Sequence, residues 1–467
     1  MYDLLLRGGD VVLPTGIARV DVAVTGGVIA EIGDLRGESA RRTVDVDGAW
    51  VVPGLIDPHL HIADVASATG ARAVDDFTSA TTAAALSGVT TVIDFAYPVA
   101  GQLPAAYLAE RRAEADGHTV LDYSLHVVVD TLDEETLVAL GALPALGCRS
   151  FKAFMQRGGM ANPATLYRLM RRAAELDMLV MVHAENKELL EASRGEGTLT
   201  AATFAASRPP ISESLATVQA IHLAEAAQCP LYVVHVTEQG SLTAIREARQ
   251  RGQAVWGEAT SHHLGLTEAA YQRDDGSLFL CAPPLRSAAD QAALWAALAD
   301  GTLQSVCSDH CGYGRDQKEA QPDQSIEQIP PGIAGLQTSM SLILSEGVCH
   351  GRMPLKRFVE IASTNPARIF GLYPQKGVIA RGSDADLCVI DPHAQWVVDP
   401  SDLYVPWGWN PFAGRTLQAR PLLVMARGEL LVEERRFVGT AGGGRYLHCG
   451  APRAPLFQGK VHAPVIQ

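Results

Sequence analysis

The sequence predicts an α/β fold, a TIM-like (β/α)8 barrel with a small β-sandwich beside it, and three observations carry that expectation. Eight apolar strand-like runs alternate with helical stretches between residues 54 and 372. Short strands crowd both ends of the chain. Six residues able to ligate metal stand at or near the ends of apolar runs, where a barrel of this kind keeps its chemistry.

In chain order, the first fifty residues read as short strands, "DLLLRGGDVVL", "VDVAVTGGVIAEIG" and "RTVDVDGAWVVPG", with Gly8-Gly9 and Gly26-Gly27 as hairpin-type punctuation. The barrel strands follow as "GLIDPHLHI", "TTVIDFA", "YSLHVVV", "RSFKAFM", "LVMVHAE", "LYVVHVT", "QAVWGEAT" and "QSVCSDH". Between them lie stretches with apolar residues near helical spacing, such as "PATLYRLMRRAAELD" and "LATVQAIHLAEAA". Strand patterns return in "DADLCVIDP" and "PLLVMARGELLVEERRFVG". Layer logic joins the two β-rich ends into one unit, residues 1–53 with 373–440, around a catalytic barrel at 54–372. The Gly/Pro-rich tail, 441–467, is expected to wrap a surface or a neighbouring subunit.

Composition narrows the partners. The 467 residues are long enough for one barrel and a smaller unit, and 47% of them are hydrophobic. With 38 basic against 52 acidic residues the net charge is −14, and no basic cluster stands out, which argues against nucleic acid and anionic membrane surfaces. None of the eight cysteines forms a CxxC pair, so reduced thiols in a cytoplasmic protein are expected. Met1 leads straight into a strand-like run, and neither a signal peptide nor a membrane helix is indicated.

The candidate ligands are His59, His61, Lys152, His183, His235 and Asp309. His59 and His61 are two apart, and the strand period of two sends both imidazoles to one face. An ammonium has no lone pair, so Lys152 cannot bind a cation as it stands. If burial and nearby metal lower its pKa, the neutral amine can add carbon dioxide, and the carbamate offers two oxygens to bridge two metals. His183 and His235 close the next two apolar runs, and neutral imidazole suits divalent transition ions. Asp309 can serve as ligand and as general base. Taken singly, each has an ordinary reading: a core histidine, an ion-paired lysine, a helix cap. Five separate strands offering ligand types in one order do not.

That order resembles the amidohydrolase superfamily, specifically the cyclic amidohydrolases: hydantoinases, dihydropyrimidinases and allantoinases. "GLIDPHLH", "SFKAFM", "VHAEN", "VVHVT", "APPLR", "SDHC" and "STNPARIFGLYPQKGVIARGSDADLCVIDP" carry the resemblance over nearly the whole chain. It implies a binuclear centre of zinc, with manganese or cobalt as alternatives. His59, His61 and Asp309 would hold one ion and His183 and His235 the other, with carboxylated Lys152 and a hydroxide bridging them. The hydroxide would attack a ring amide, Asp309 would take its proton for the departing nitrogen, and an N-carbamoyl amino acid would leave. Homotetramers or dimers are usual in such relatives.

Three departures bear on substrate binding. Relatives carry an oxyanion-donating tyrosine five residues after the bridging lysine; here it is Arg157, which can also donate and would favour an anionic transition state or an acidic substrate group. Ala282 replaces a frequent serine, and Pro331 a usual asparagine, at points where the family grips the ring through the main chain. Alanine keeps both main-chain groups and proline keeps its carbonyl. The loops at 63–76 and 155–162 are expected to shape specificity. Ile62 and Ala63 after the HxH argue against a dihydroorotase, whereas an allantoinase or another cyclic amide or imide hydrolase stays open. A non-catalytic relative, like the neuronal dihydropyrimidinase-related proteins, is disfavoured because all six ligand positions hold competent residues.

Overall fold

The computed structural model describes residues 1–66, 69–321 and 324–455. All eight expected barrel strands form: β1 (Leu55–Asp57), β2 (Val89–Ala96), β3 (Asp122–Val128), β4 (Ser150–Phe154), β5 (Leu179–His183), β6 (Leu231–Val233), β7 (Val255–Thr260) and β8 (Ser305–Cys307). Each pairs in parallel with its sequence neighbour. The ring closes at its mouth, where Leu60–His61 pairs with His310–Cys311, Asp309 N donates to His59 O at 2.9 Å and Ser308 N donates to Asp57 Oδ1 at 3.0 Å.

Alternation sorts the side chains. On β5, Leu179 and Met181 join the cluster that fills the barrel, with Ile93, Phe95, Tyr232 and Trp256, whereas Val180 and Val182 join the cluster shared with the helices. The helix Pro163–Glu175 shows how the outer layer is specified. Asn162 caps it by accepting from Ala164 N at 2.9 Å, proline occupies its first turn, and Leu166, Leu169, Met170 and Ala173 bury one face.

Strands from both chain ends join in one nine-stranded sheet, with Leu387–Val397 pairing antiparallel to Trp50–Pro53. Tyr2–Leu13 is its branch point, pairing Ala40–Asp45 along its first half and Trp50–Pro53 along its second. The sheet encloses an apolar core that includes Leu4, Val22, Val51, Leu387 and Met425. Gly26-Gly27 is the two-residue hairpin expected from the sequence, with φ of 61° and 81°. Gly8-Gly9 is not a turn: it lies inside Tyr2–Leu13 as a register shift, and Pro14-Thr15 makes the hairpin instead. The close packing there explains the glycine, since a Cβ on Gly9 would stand 2.6 Å from Val51.

The described part of the tail packs on its own barrel. Leu447 N donates to Tyr123 O at 2.7 Å, Tyr123 N to Arg445 O at 2.9 Å, and Cys449 N to Gly147 O at 2.9 Å. Residues 456–467 of the tail, and 67–68 of the first specificity loop, lie outside the described residues. No helix among the described residues is long and apolar enough to cross a membrane.

Candidate metal centre and active site

The six candidate ligands reach the barrel mouth from five strands. His59 and His61 follow β1, Lys152 lies within β4, and His183 ends β5. His235 and Asp309 stand two residues beyond β6 and β8. These last two adopt left-handed backbone, φ 38° and 45°. Non-glycine residues held there cost about 1–3 kcal/mol each and collect where the surroundings impose a function. All six line one cavity of about 1010 Å³, with Arg157, Ala282 and Pro331 on its walls.

The nitrogens are arranged to present lone pairs. His59 Nδ1 donates to Glu258 Oε1, leaving Nε2 buried, 3.2 Å from Asp309 Oδ1 and without a hydrogen bond. His61 pairs with the Tyr97 hydroxyl through Nδ1 at 2.9 Å, and its Nε2 lies 3.3 Å from the same Asp309 oxygen. His183 Nε2 donates to Glu185 Oε2 at 2.6 Å, and the His183 and His235 rings meet edge to face at 4.5 Å. Burial lowers His183 to about 4, against the pull of Glu185, and holds His235 well below the usual imidazole range, helped by His183 and Lys152. These rings are neutral at pH 7. A buried nitrogen left without a partner costs about 1–3 kcal/mol, a cost that a coordinated cation removes.

His59, His61 and Asp309 bring their ligand atoms within 4.8 Å of one another, as a shared ion requires. Burial alone would raise the Asp309 carboxyl, but His59, His61 and His235 hold it well below the ordinary carboxylate range. Lys152 is 1% exposed, its Nζ 5.3 Å from the ring centres of both Phe95 and Phe154. Burial lowers its amine to about 8 although Asp309 and Glu258 oppose the shift. A cation-binding site is what this set of imidazole nitrogens, carboxylate and weakened ammonium fits.

Over residues 50–431 the sequence matches the amidohydrolase family. The chain belongs to that family. It is 36% identical over 453 residues to a D-hydantoinase of Ralstonia pickettii, covering 95% of this chain and 98% of the relative. A D-hydantoinase of Geobacillus stearothermophilus is 36% identical over 452 residues, covering 95% and 96%. The crystal structure of a dihydropyrimidinase from Brevibacillus agri superposes with a TM-score of 0.93 at 36% identity, covering 97% of this chain and all of that one. This amidohydrolase is therefore an enzyme of the hydantoinase group, and metal dependence comes with the family.

Sequence reading missed the groups that orient the ligands. Glu258, fully buried, also accepts from the Tyr232 hydroxyl at 2.7 Å. Against burial, Arg208 and His183 hold Glu185 at about 2, so it is a fixed anion. The available signal was an acid interrupting an apolar strand, as in "QAVWGEAT", or immediately following one, as in "LVMVHAE". Tyr97, just past β2, gave no such signal.

Proposed function

We propose that this amidohydrolase opens an amide bond in hydantoin- or dihydropyrimidine-like rings and releases an N-carbamoyl amino acid. The observation that carries the reading is the convergence of six candidate ligands from five strands on one cavity, in a chain about one-third identical to hydantoinases throughout. His59, His61 and Asp309 would hold one divalent ion and His183 and His235 the other, with Lys152 shared as its carbamate. Lys152's buried amine, weakened to about 8, supports carboxylation, because only the neutral form adds carbon dioxide. Zinc suits the donor set, as manganese and cobalt also do. Such ions supply an acidified water and a polarised carbonyl.

The chain's own groups do the rest. Asp309 accepts the proton of the attacking water and delivers it to the departing ring nitrogen. Arg157, stacked on Phe154 with its guanidinium carbon 4.0 Å from the ring centre, donates to the developing oxyanion from the cavity wall. The main chain at Ala282 and Pro331 grips the ring's ureide. Residues 54–372 would form the catalytic unit and 1–53 with 373–440 the sheet unit. The same reading makes the enzyme a cytoplasmic homo-oligomer, and eight free cysteines support a reducing compartment.

The test is turnover of hydantoin, dihydrouracil, allantoin and a cyclic imide by protein of measured metal content. Opening of hydantoin or dihydrouracil is expected; two bound ions with neither ring opened would overturn the substrate class. Arg157→Tyr is expected to change kcat on simple hydantoins, and an unchanged rate would remove Arg157 from the site.

A further inference from the structure

Behind the cavity lining, Lys318 is a buried lysine that the chemistry above does not use. It ends the short helix Arg315–Lys318 and is fully buried. Its Nζ donates to Leu280 O at 2.7 Å and to Pro330 O at 2.9 Å. These carbonyls sit immediately before Cys281-Ala282 and Pro331-Gly332, two adjoining segments that line the cavity. Gly332 N also donates to Leu280 O at 2.8 Å, so one carbonyl ties both walls.

The sequence of the walls explains why a side chain does this. Pro283-Pro284 follows Ala282, and Pro330-Pro331 precedes Gly332. Four prolines remove four N–H donors, so the walls have fewer backbone hydrogen bonds with which to anchor themselves. Gly332 N supplies one tie between the walls, and the Lys318 ammonium or amine supplies two more. Burying an ammonium costs several kcal/mol unless a counter-ion and hydrogen bonds offset it. The groups acting on Lys318 are the Cys281 and Cys311 thiols rather than a carboxylate, and burial lowers its amine to about 7. A methionine would fill the same space at less cost.

We infer that Lys318 is a positioning residue that fixes the spacing of the two proline-interrupted walls, and so sets how tightly the ring is held without touching the reacting atoms. This rests on the ring-opening reading, which places the substrate against those walls. Losing both hydrogen bonds loosens both walls.

The experiment compares Lys318→Met and Lys318→Gln with the parent enzyme, metal-loaded. Lys318→Met is expected to raise KM for the ring roughly tenfold or more, with kcat within about threefold. Metal content and Tm should stay at the parent's level or, for Tm, rise. Lys318→Gln, which keeps an N–H donor, should recover part of the KM. Hydrogen exchange supplies a readout independent of turnover: the amides of Cys281, Ala282, Leu285 and Gly332 should exchange faster in Lys318→Met. Unchanged KM with unchanged exchange would overturn the inference, as would a fall in Tm with kcat and KM lost together in both variants. If the parent opens no ring, the ring-opening reading fails, while the exchange data still decide whether Lys318 holds the walls.

Discussion

At the residue scale, the site depends on which nitrogen of each imidazole is tied down. Glu258 fixes Nδ1 of His59 and Glu185 fixes Nε2 of His183, so the opposite nitrogen of each is left for a cation. Glu258→Gln keeps the shape and removes the charge. Metal affinity, measured by competition with a chelator, should then fall about 10–100-fold. Asp309→Asn should cut ring-opening kcat about 10²–10⁴-fold, and near-normal turnover with metal retained would end its assignment as the base. Lys318 adds a pH signature. Its amine is lowered to about 7 from 10.5 by burial, while Cys281, Cys311 and His262 are titratable groups that face it. Between those values the unfolded chain binds a proton that the folded one does not. Lys318 therefore destabilises the fold as pH falls from about 10.5 to about 7 and no further below. Relative to the parent, Lys318→Met should gain Tm when pH is lowered from 10 to 7.

At the element scale, short-range patterns were legible because each states its own period. The 3.6-residue spacing of Leu166, Leu169, Met170 and Ala173, with Asn162-Pro163 before it, marks a helix without knowledge of its neighbours. Asn162→Ala should cost about 1 kcal/mol of stability, read from denaturant midpoints. Gly8-Gly9 shows where local reading ends. Two glycines between apolar runs suggest a turn, yet here the requirement is close approach of Val51 from a strand some forty residues on. No local pattern encodes that partner.

At the scale of the whole molecule, a buried ionic cluster ties the barrel's far end to the sheet and the tail. Lys376 Nζ lies 2.6 Å from Asp122 Oδ2 and 2.7 Å from Asp386 Oδ2, and Asp122 also binds Arg427 and accepts from Arg445 N at 2.9 Å. Despite burial, Asp386, Asp122 and Asp384 raise the Lys376 pKa, so it stays charged throughout the working range. Lys376→Met would leave Asp386 buried without its counter-ion and Asp122 with Arg427 alone. A loss of about 3–5 kcal/mol is expected, measured by equilibrium unfolding. Turnover of the folded fraction should hold, since Asp122 begins β3 and the cavity lies at the opposite strand ends.

The sequence by itself determined the barrel, its eight strands and the nine residues that meet at one cavity. Strand periodicity and ligand chemistry are local properties, and the order of strands around a parallel barrel follows the order in the chain. Only the tertiary structure decided which acid orients which imidazole, that His235 and Asp309 are held in left-handed backbone, and that Lys318 bridges two proline-rich walls. Those relations depend on distances between residues as far apart as His59 and Glu258. Burial gives them their energy: only in a site closed to water does one carboxylate or one ammonium settle where a neighbour must stand.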